Sequence, residues 1–326
     1  MSGEGAEDAD AAERPPVGLK VQLLAAKMAE IDQMGLSEEG LLVRKIAMEI
    51  ATETSDAKMV EQVEKGVEEL DVNARYWSEG GEVISCGHKL AMEVLHLQGE
   101  ASGAARLDAV QCIVARGLDC GAEWRDGRAV GCAGSAILAS AVWLNGAGEG
   151  AVLDLARELL RRGLDVNAEA VERSTRASAG TFIFSGAIQH PRTSAAFKVS
   201  LLEMLRDAGL DLERPCQQGR ETSTTGDTIA TRVCGAACLT PSCQAALLAC
   251  MFRAGWTPGT AKANQRIQAL FDRPEGMDGA DADYLRECVS APPQGAAAAT
   301  RVSAPVTGVV SSSATCTSDS AGDSSA

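Results

Sequence analysis

Aromatic side chains are scarce in this chain: Phe, Trp and Tyr form 3% of its 326 residues. A β-sandwich core draws on aromatic and β-branched residues, so this scarcity, beside abundant Ala and Gly, favours closely packed helices. Histidine occurs only three times. His88 and His96 stand near Cys86 and Glu93, yet there is no His-Glu-x-x-His and no paired Cys-x-x-Cys, so no metal is expected. Basic residues are outnumbered, leaving a formal charge of −15. That balance argues against a broad nucleic-acid footprint and against attraction to an anionic membrane. The opening "MSGEGAEDADAAERPP" has no basic segment leading into an apolar run, so a secretory signal is not expected. Eleven cysteines, an odd number, are then expected as free buried thiols rather than as a disulfide framework.

Long apolar runs are missing as well, with one stretch to weigh. Residues 129–148, "AVGCAGSAILASAVWLNGAG", are twenty without a charge. Their glycines, serines and asparagine dilute the hydrophobicity of a membrane span, so a buried helix with flanking loops is expected. Catalytic signatures are equally thin. "GAGEG" at 146–150 lacks the strand–turn–helix setting and the Gly-Lys-Ser/Thr of a phosphate loop. No Gly-x-Ser-x-Gly elbow occurs. Cys234, Cys238, Cys243 and Cys250 are the densest thiol cluster, but their spacing is not that of a zinc site. Cys234 and Cys250 fall instead at apolar helical positions, where a small buried hydrophobe fits. The chain is read as no enzyme and as needing no cofactor.

What is present is repetition. "LDVNA" stands at 70–74 and again at 164–168, with "LDCGA" at 118–122 and "LDLER" at 210–214. The glycines ahead of three of these, Gly117, Gly163 and Gly209, are 46 residues apart, and one more step reaches Gly255. Stepping back 29 residues gives blocks that begin at His88, Gly134, Gly180 and Gly226 and align without a gap. One apolar column in them runs Ala91, Ile137, Ile183, Ile229. A fainter block, Gly40 to Glu69, precedes them at a spacing of 48. Repetition at this period means a solenoid or array, here of about five units.

Each block divides into two helices. In "AVLDLARELLRRG", Val152, Leu155, Leu159 and Leu160 share one stripe, and Arg161 and Arg162 suit the carbonyl end. Gly163 can then close the helix in the left-handed conformation, which Gly117 and Gly209 should share, with Gly255 in the same place. Asp71, Asp119, Asp165 and Asp211, together with Asn167, should hold a tight turn through their short polar side chains.

Helix, Gly, "LDVNA", loop and short helix resemble the ankyrin-repeat family over residues 40–259, best at 134–168. The period departs from that family's ~33 residues, and its Thr-Pro-Leu-His is absent. The added residues are expected as long loops ahead of the first helix and between the two helices. HEAT or armadillo repeats, at ~40–47 residues, fit the period but leave the "GLDVNA" ending unexplained. The fold class expected is all-α, an α-solenoid of stacked helix–turn–helix repeats. Around the array at 40–259 are expected a disordered acidic segment 1–17, a capping helix within 18–39, capping helices in 260–290 and a disordered tail 291–326.

The resemblance implies a non-catalytic protein-binding scaffold whose finger loops and first helices face the partner. Candidate contacts are Arg75, Tyr76 and Trp77 on one finger, Glu123, Trp124 and Arg125 on the next, and Arg173 beyond, because aromatics ringed by polar groups anchor protein interfaces. An acidic chain steers a partner with a basic face. A cytoplasmic location is expected, with the nucleus and the oligomeric state left open. The rival readings are a regulatory subunit of an enzyme complex and an enzyme of unrecognised type.

Overall fold

The computed structural model describes residues 37–53, 55–76, 83–97, 101–127, 129–272 and 279–290. Segments 1–17 and 291–326, and all but the last three residues of 18–39, lie outside the described residues. Five helix pairs follow one another: α1 (Glu38–Thr52) and α2 (Asp56–Glu69), α3 (Cys86–Leu95) and α4 (Gly103–Ala115), α5 (Ala133–Val142) and α6 (Glu149–Arg161), α7 (Ala179–Gln189) and α8 (Ala195–Asp207), α9 (Thr225–Gly235) and α10 (Pro241–Arg253). Helices α11 (Ala261–Phe271) and α12 (Ala280–Ser290) close the array. First helices pack on first helices, α1 to α3 to α5 to α7 to α9 to α11, and second helices form a parallel row from α2 to α10.

The all-α expectation is overturned. Between each Asp turn and the next first helix the chain runs out and back as a hairpin: β1 (Arg75–Tyr76) with β2 (Ile84–Ser85), β3 (Glu123–Asp126) with β4 (Ala129–Cys132), β5 (Glu169–Glu172) with β6 (Thr175–Ser178), and β7 (Pro215–Gln218) with β8 (Glu221–Thr224). The last three join into one six-stranded antiparallel sheet in sequence order. Val130 pairs with Val171, and Thr175 and Arg176 pair with Gln218 and Gln217. Val83 exchanges hydrogen bonds with Arg125, at 3.0 and 2.8 Å, and so ties the first hairpin alongside. The protein is mixed α/β. A shortage of aromatics did not forbid these strands, because they are held by backbone ladders and give few side chains to the core. At the base of β5 and β6, for instance, Ala170 faces Ala177, and both are buried against the helices while Glu169 and Arg176 stand in solvent. Units built of helices alone, as in HEAT or armadillo arrays, have no place for such hairpins.

The repeated phrase builds the joints. Gly117, Gly163, Gly209 and Gly255 take φ of 102°, 93°, 87° and 85°, the left-handed cap expected of them. Gly163 N donates to Leu160 O at 3.2 Å and Leu164 N to Leu159 O at 3.0 Å, the paired bonds of a Schellman ending. Asp71, Asp119, Asp165 and Asp211 each accept at Oδ1 from the backbone N–H two residues on. Asn167 does more than turn the chain. Its Nδ2 donates to Gly209 O at 2.8 Å and its Oδ1 accepts from Asp211 N at 2.9 Å, so it staples its turn to the next repeat. Asn73 does the same to Gly117 and Asp119. Gly121 stands at that place in the second turn, where no side chain can make the link.

Backbone bonds then dock each first helix onto its turn. Gly87, Gly134, Gly180 and Gly226 donate to the carbonyls of Val72, Cys120, Val166 and Leu212 at 2.8 to 2.9 Å. A Cβ at Gly87 would meet the backbone oxygen of Val72 at 2.8 Å, so the close approach there requires glycine. These bonds correct the gapless alignment by one residue in its first block: Gly87, not His88, matches Gly134, and the apolar column begins at Leu90. Leu90, Ile137, Ile183 and Ile229 are fully buried, each contributing roughly 1.5–3 kcal/mol of apolar burial.

The uncharged stretch 129–148 is divided into β4, α5 and a loop. Among the described residues no helix is long and apolar enough to cross a membrane.

Candidate functional site

The sequence-predicted contacts do not form one surface. Tyr76 is 1% exposed, its hydroxyl accepting from Arg44 Nε at 3.1 Å and its ring 5.6 Å from Lys89 Nζ. The ring is therefore part of the core below the first hairpin and offers a partner no free face. Arg75 beside it is exposed, and Trp77 lies outside the described residues. Trp124 is half-buried, edge-on to His88 at 5.7 Å and laid over Gly131, where an added Cβ would meet its Nε1 at 2.9 Å. Glu123 and Arg125 pair with each other at 2.6 Å in solvent. Arg173, at the tip of the β5–β6 hairpin, belongs to a different feature.

That feature is a groove between first helices and hairpin, enclosing a cavity of about 680 Å³. Its floor is made of small residues, Ala139 and Ser140 on α5 and Ser185 and Gly186 on α7. The hairpin tip Glu172–Arg173–Ser174–Thr175 forms one wall, and Arg232 on α9 stands at the far end. Trp143, the C-cap of α5, separates this cavity from a second of about 690 Å³ that shares Leu95 and His96. Volumes of this order are those of ligand-binding clefts, about 300–1,000 Å³.

Trp143 is 47% exposed and is the one large apolar side chain left exposed among the described residues. It is held in place, with its ring edge-on to His190 at 4.8 Å. His190 is fixed in turn, since its Nδ1 accepts from Arg192 N at 3.3 Å and its carbonyl accepts from the buried ammonium of Lys198 at 3.1 Å. Desolvation, then the charges of Lys198 and Arg192, hold the His190 imidazole below its ordinary range, so the ring against Trp143 is neutral. Lys198 also donates to Thr193 O at 2.7 Å. Gln244, one period later, donates to Val233 O and Cys234 O in the same way. A buried donor that ties down the end of the first helix is thus a repeated device.

Sequence reading missed Trp143, Ser185, Gln189 and Arg232. A signal was present: the 46-residue period aligns Arg232 with Ser140 and Gly186, and Trp143 with Gln189 and Gly235. Trp143 stands within the uncharged run 129–148, for which a buried helix with flanking loops is expected. The thiols fare as expected: Cys234, Cys243 and Cys250 are buried, and desolvation raises the pKa of Cys243 and Cys250. Cys238 alone of that cluster is exposed. Among the described residues no three His, Cys, Asp or Glu side chains come together as a metal site would require. No protein-family model, curated protein or solved structure matches the chain.

Proposed function

We propose that this protein is a non-catalytic, ankyrin-like binding scaffold whose partner is another protein, seated in the groove between first helices and hairpin fingers. The observation that carries the reading is Trp143, an immobilised and half-exposed indole rising from a floor of small residues. Rigid aromatics in such settings supply most of the energy of protein interfaces, because their area is gained with little loss of side-chain freedom. Support for the ankyrin-like part comes from the glycine-capped "LDVNA" turn, the two helices per unit and the finger that leads each first helix. In this reading the family's short β-turn is lengthened here into a four-residue-stranded hairpin. The acidic surface adds long-range steering toward a partner with a basic face, which raises encounter rates more than it tightens the complex.

Site-specific photocrosslinking tests this. A benzoylphenylalanine at Gln189, which lines the cavity, should capture a discrete protein from cell extract. The same group at the exposed Glu203 of α8, on the opposite row of helices, should not. Trp143→Ala should abolish capture from position 189. Equal capture from both positions, or capture indifferent to Trp143→Ala, overturns the reading.

A further inference from the structure

The groove holds two guanidinium groups that no carboxylate among the described residues engages. Arg232 is half-buried on α9 and makes no hydrogen bond or ion pair there. Desolvation pulls its pKa down, opposed by the fields of Cys216 and Glu172, so a half-buried charge stands beside one carboxylate without an ion pair to it. The preceding repeats carry Ser140 and Gly186 at this position, which leaves space above them for the long side chain to face.

Arg173 supplies the second group. Its backbone sits at φ 55°, a conformation that L side chains avoid. The sister hairpin tips carry Gly127 at φ 57° and Gly219 at φ 60° in the same place. The fold therefore asks for glycine here, and the tip that lines the cavity has arginine instead. Strain held at a lining residue is an observation from which function can be argued. A third group is Ser185, 3% exposed on the cavity floor, whose Oγ has no hydrogen-bond partner among the described residues. The lining charges are Glu172 against Arg173 and Arg232, one net positive in a chain whose formal charge is −15. The local sign is inverted.

Resting on the scaffold reading above, we infer that the groove receives an acidic peptide segment of the partner, its carboxylate between Arg173 and Arg232 and a neighbouring apolar side chain on Trp143. Arginine suits this task because its planar fork of donors matches a carboxylate and is weakly hydrated, so the pair tolerates a half-buried site. Ser185 can donate to the same oxygens or to the peptide backbone. A partner that is basic overall is compatible with this, since steering acts over a Debye length of ~10 Å and the groove reads one local group.

The test is selection of a random dodecapeptide library displayed on phage against the full-length chain, followed by fluorescence-polarisation titration of the enriched peptides. Enriched sequences should carry Asp or Glu beside an aromatic or large aliphatic residue. Their binding should weaken at least tenfold on Arg232→Gln, at least threefold on Arg173→Gly, and at least tenfold when the peptide's own acid becomes its amide. The peptide change leaves the protein untouched, and Arg173→Gly installs the residue of the sister tips, so loss of folding cannot mimic these results. Peptides that require Trp143 but are uncharged or basic, or are indifferent to both arginines, overturn the acidic-segment inference and leave the scaffold reading standing. A library that yields no Trp143-dependent binder overturns both.

Discussion

At the scale of single residues, His88 shows how the array stores a pH dependence in its packing. The imidazole is buried under Trp124, and its Nδ1 meets no hydrogen-bond partner. Desolvation, with a smaller push from Lys89, lowers its pKa from 6.5 to about 4. The folded state thus refuses a proton that the unfolded chain accepts. Stability from this group is complete above pH 6.5 and is lost as pH falls from there through about 4, by roughly 3 kcal/mol in all. Urea titrations at pH 7.5, 5.5 and 4.5 should show the decline, and His88→Gln should flatten it across this window. A decline that persists unchanged in the variant would assign it to other groups. The same burial logic pushes the thiols of Cys86 and Cys120 up to about 12, which keeps them inert as small core residues.

At the scale of elements, most helices begin on a hydroxyl that accepts from the N–H three residues on: Ser37, Ser85, Ser102, Ser178, Ser194, Thr224, Thr240 and Thr260. Helices α2, α5 and α6 are exceptions, starting at Ser55, Cys132 and Gly148 with no side-chain cap bond. The turn leading into the third repeat also lacks the asparagine staple, since Gly121 occupies that position, as Glu213 does in the turn leading into the fifth. The third repeat is the pair in which neither helix has a side-chain cap, and the one that presents Trp143. Gly148 sits at φ −71° and ψ 134°, ordinary extended backbone, with open space where a Cβ would stand. Gly148→Ser should therefore add a cap and restrict the unfolded chain, raising stability by about 0.5–1 kcal/mol. The urea midpoint measures this; a midpoint that stays put or falls would mean that the loop before α6 cannot accept a capped start.

At the scale of the whole molecule, each repeat touches chiefly its neighbours, so the end units must hide apolar faces that interior units hide for one another. After Gly255 the pattern changes. Trp256 is buried, no hairpin follows, and α11 packs on α9 through Ile267 and Leu270. Helix α12 buries Ala282 and Leu285, and Asp281 pairs with Arg253 of α10 at 2.5 Å. Ending the chain at Gly259 should uncover the α9 and α10 faces, lower the thermal midpoint and raise binding of a hydrophobic dye. Unchanged dye binding would show that these helices are not a cap.

Much of this is legible in the sequence. The period is read by repetition along the chain, and the glycine caps and aspartate turns are written in residues two to five apart, whose bonds form within one helix end or one turn. Their geometry follows from local sterics, so Gly163 and Asp165 behave as the sequence says they must. The strand pairings were not legible. Val130 with Val171 and Arg176 with Gln217 join residues some forty apart, chosen by which hairpins the stacked helices set side by side. The fates of three aromatics were decided the same way. Tyr76 and Trp124 read as surface anchors because their sequence neighbours are charged, while nothing beside Trp143, in a run without charge, marks it as exposed. Burial depends on what packs across from a side chain, and only stacking one repeat on the next decides that.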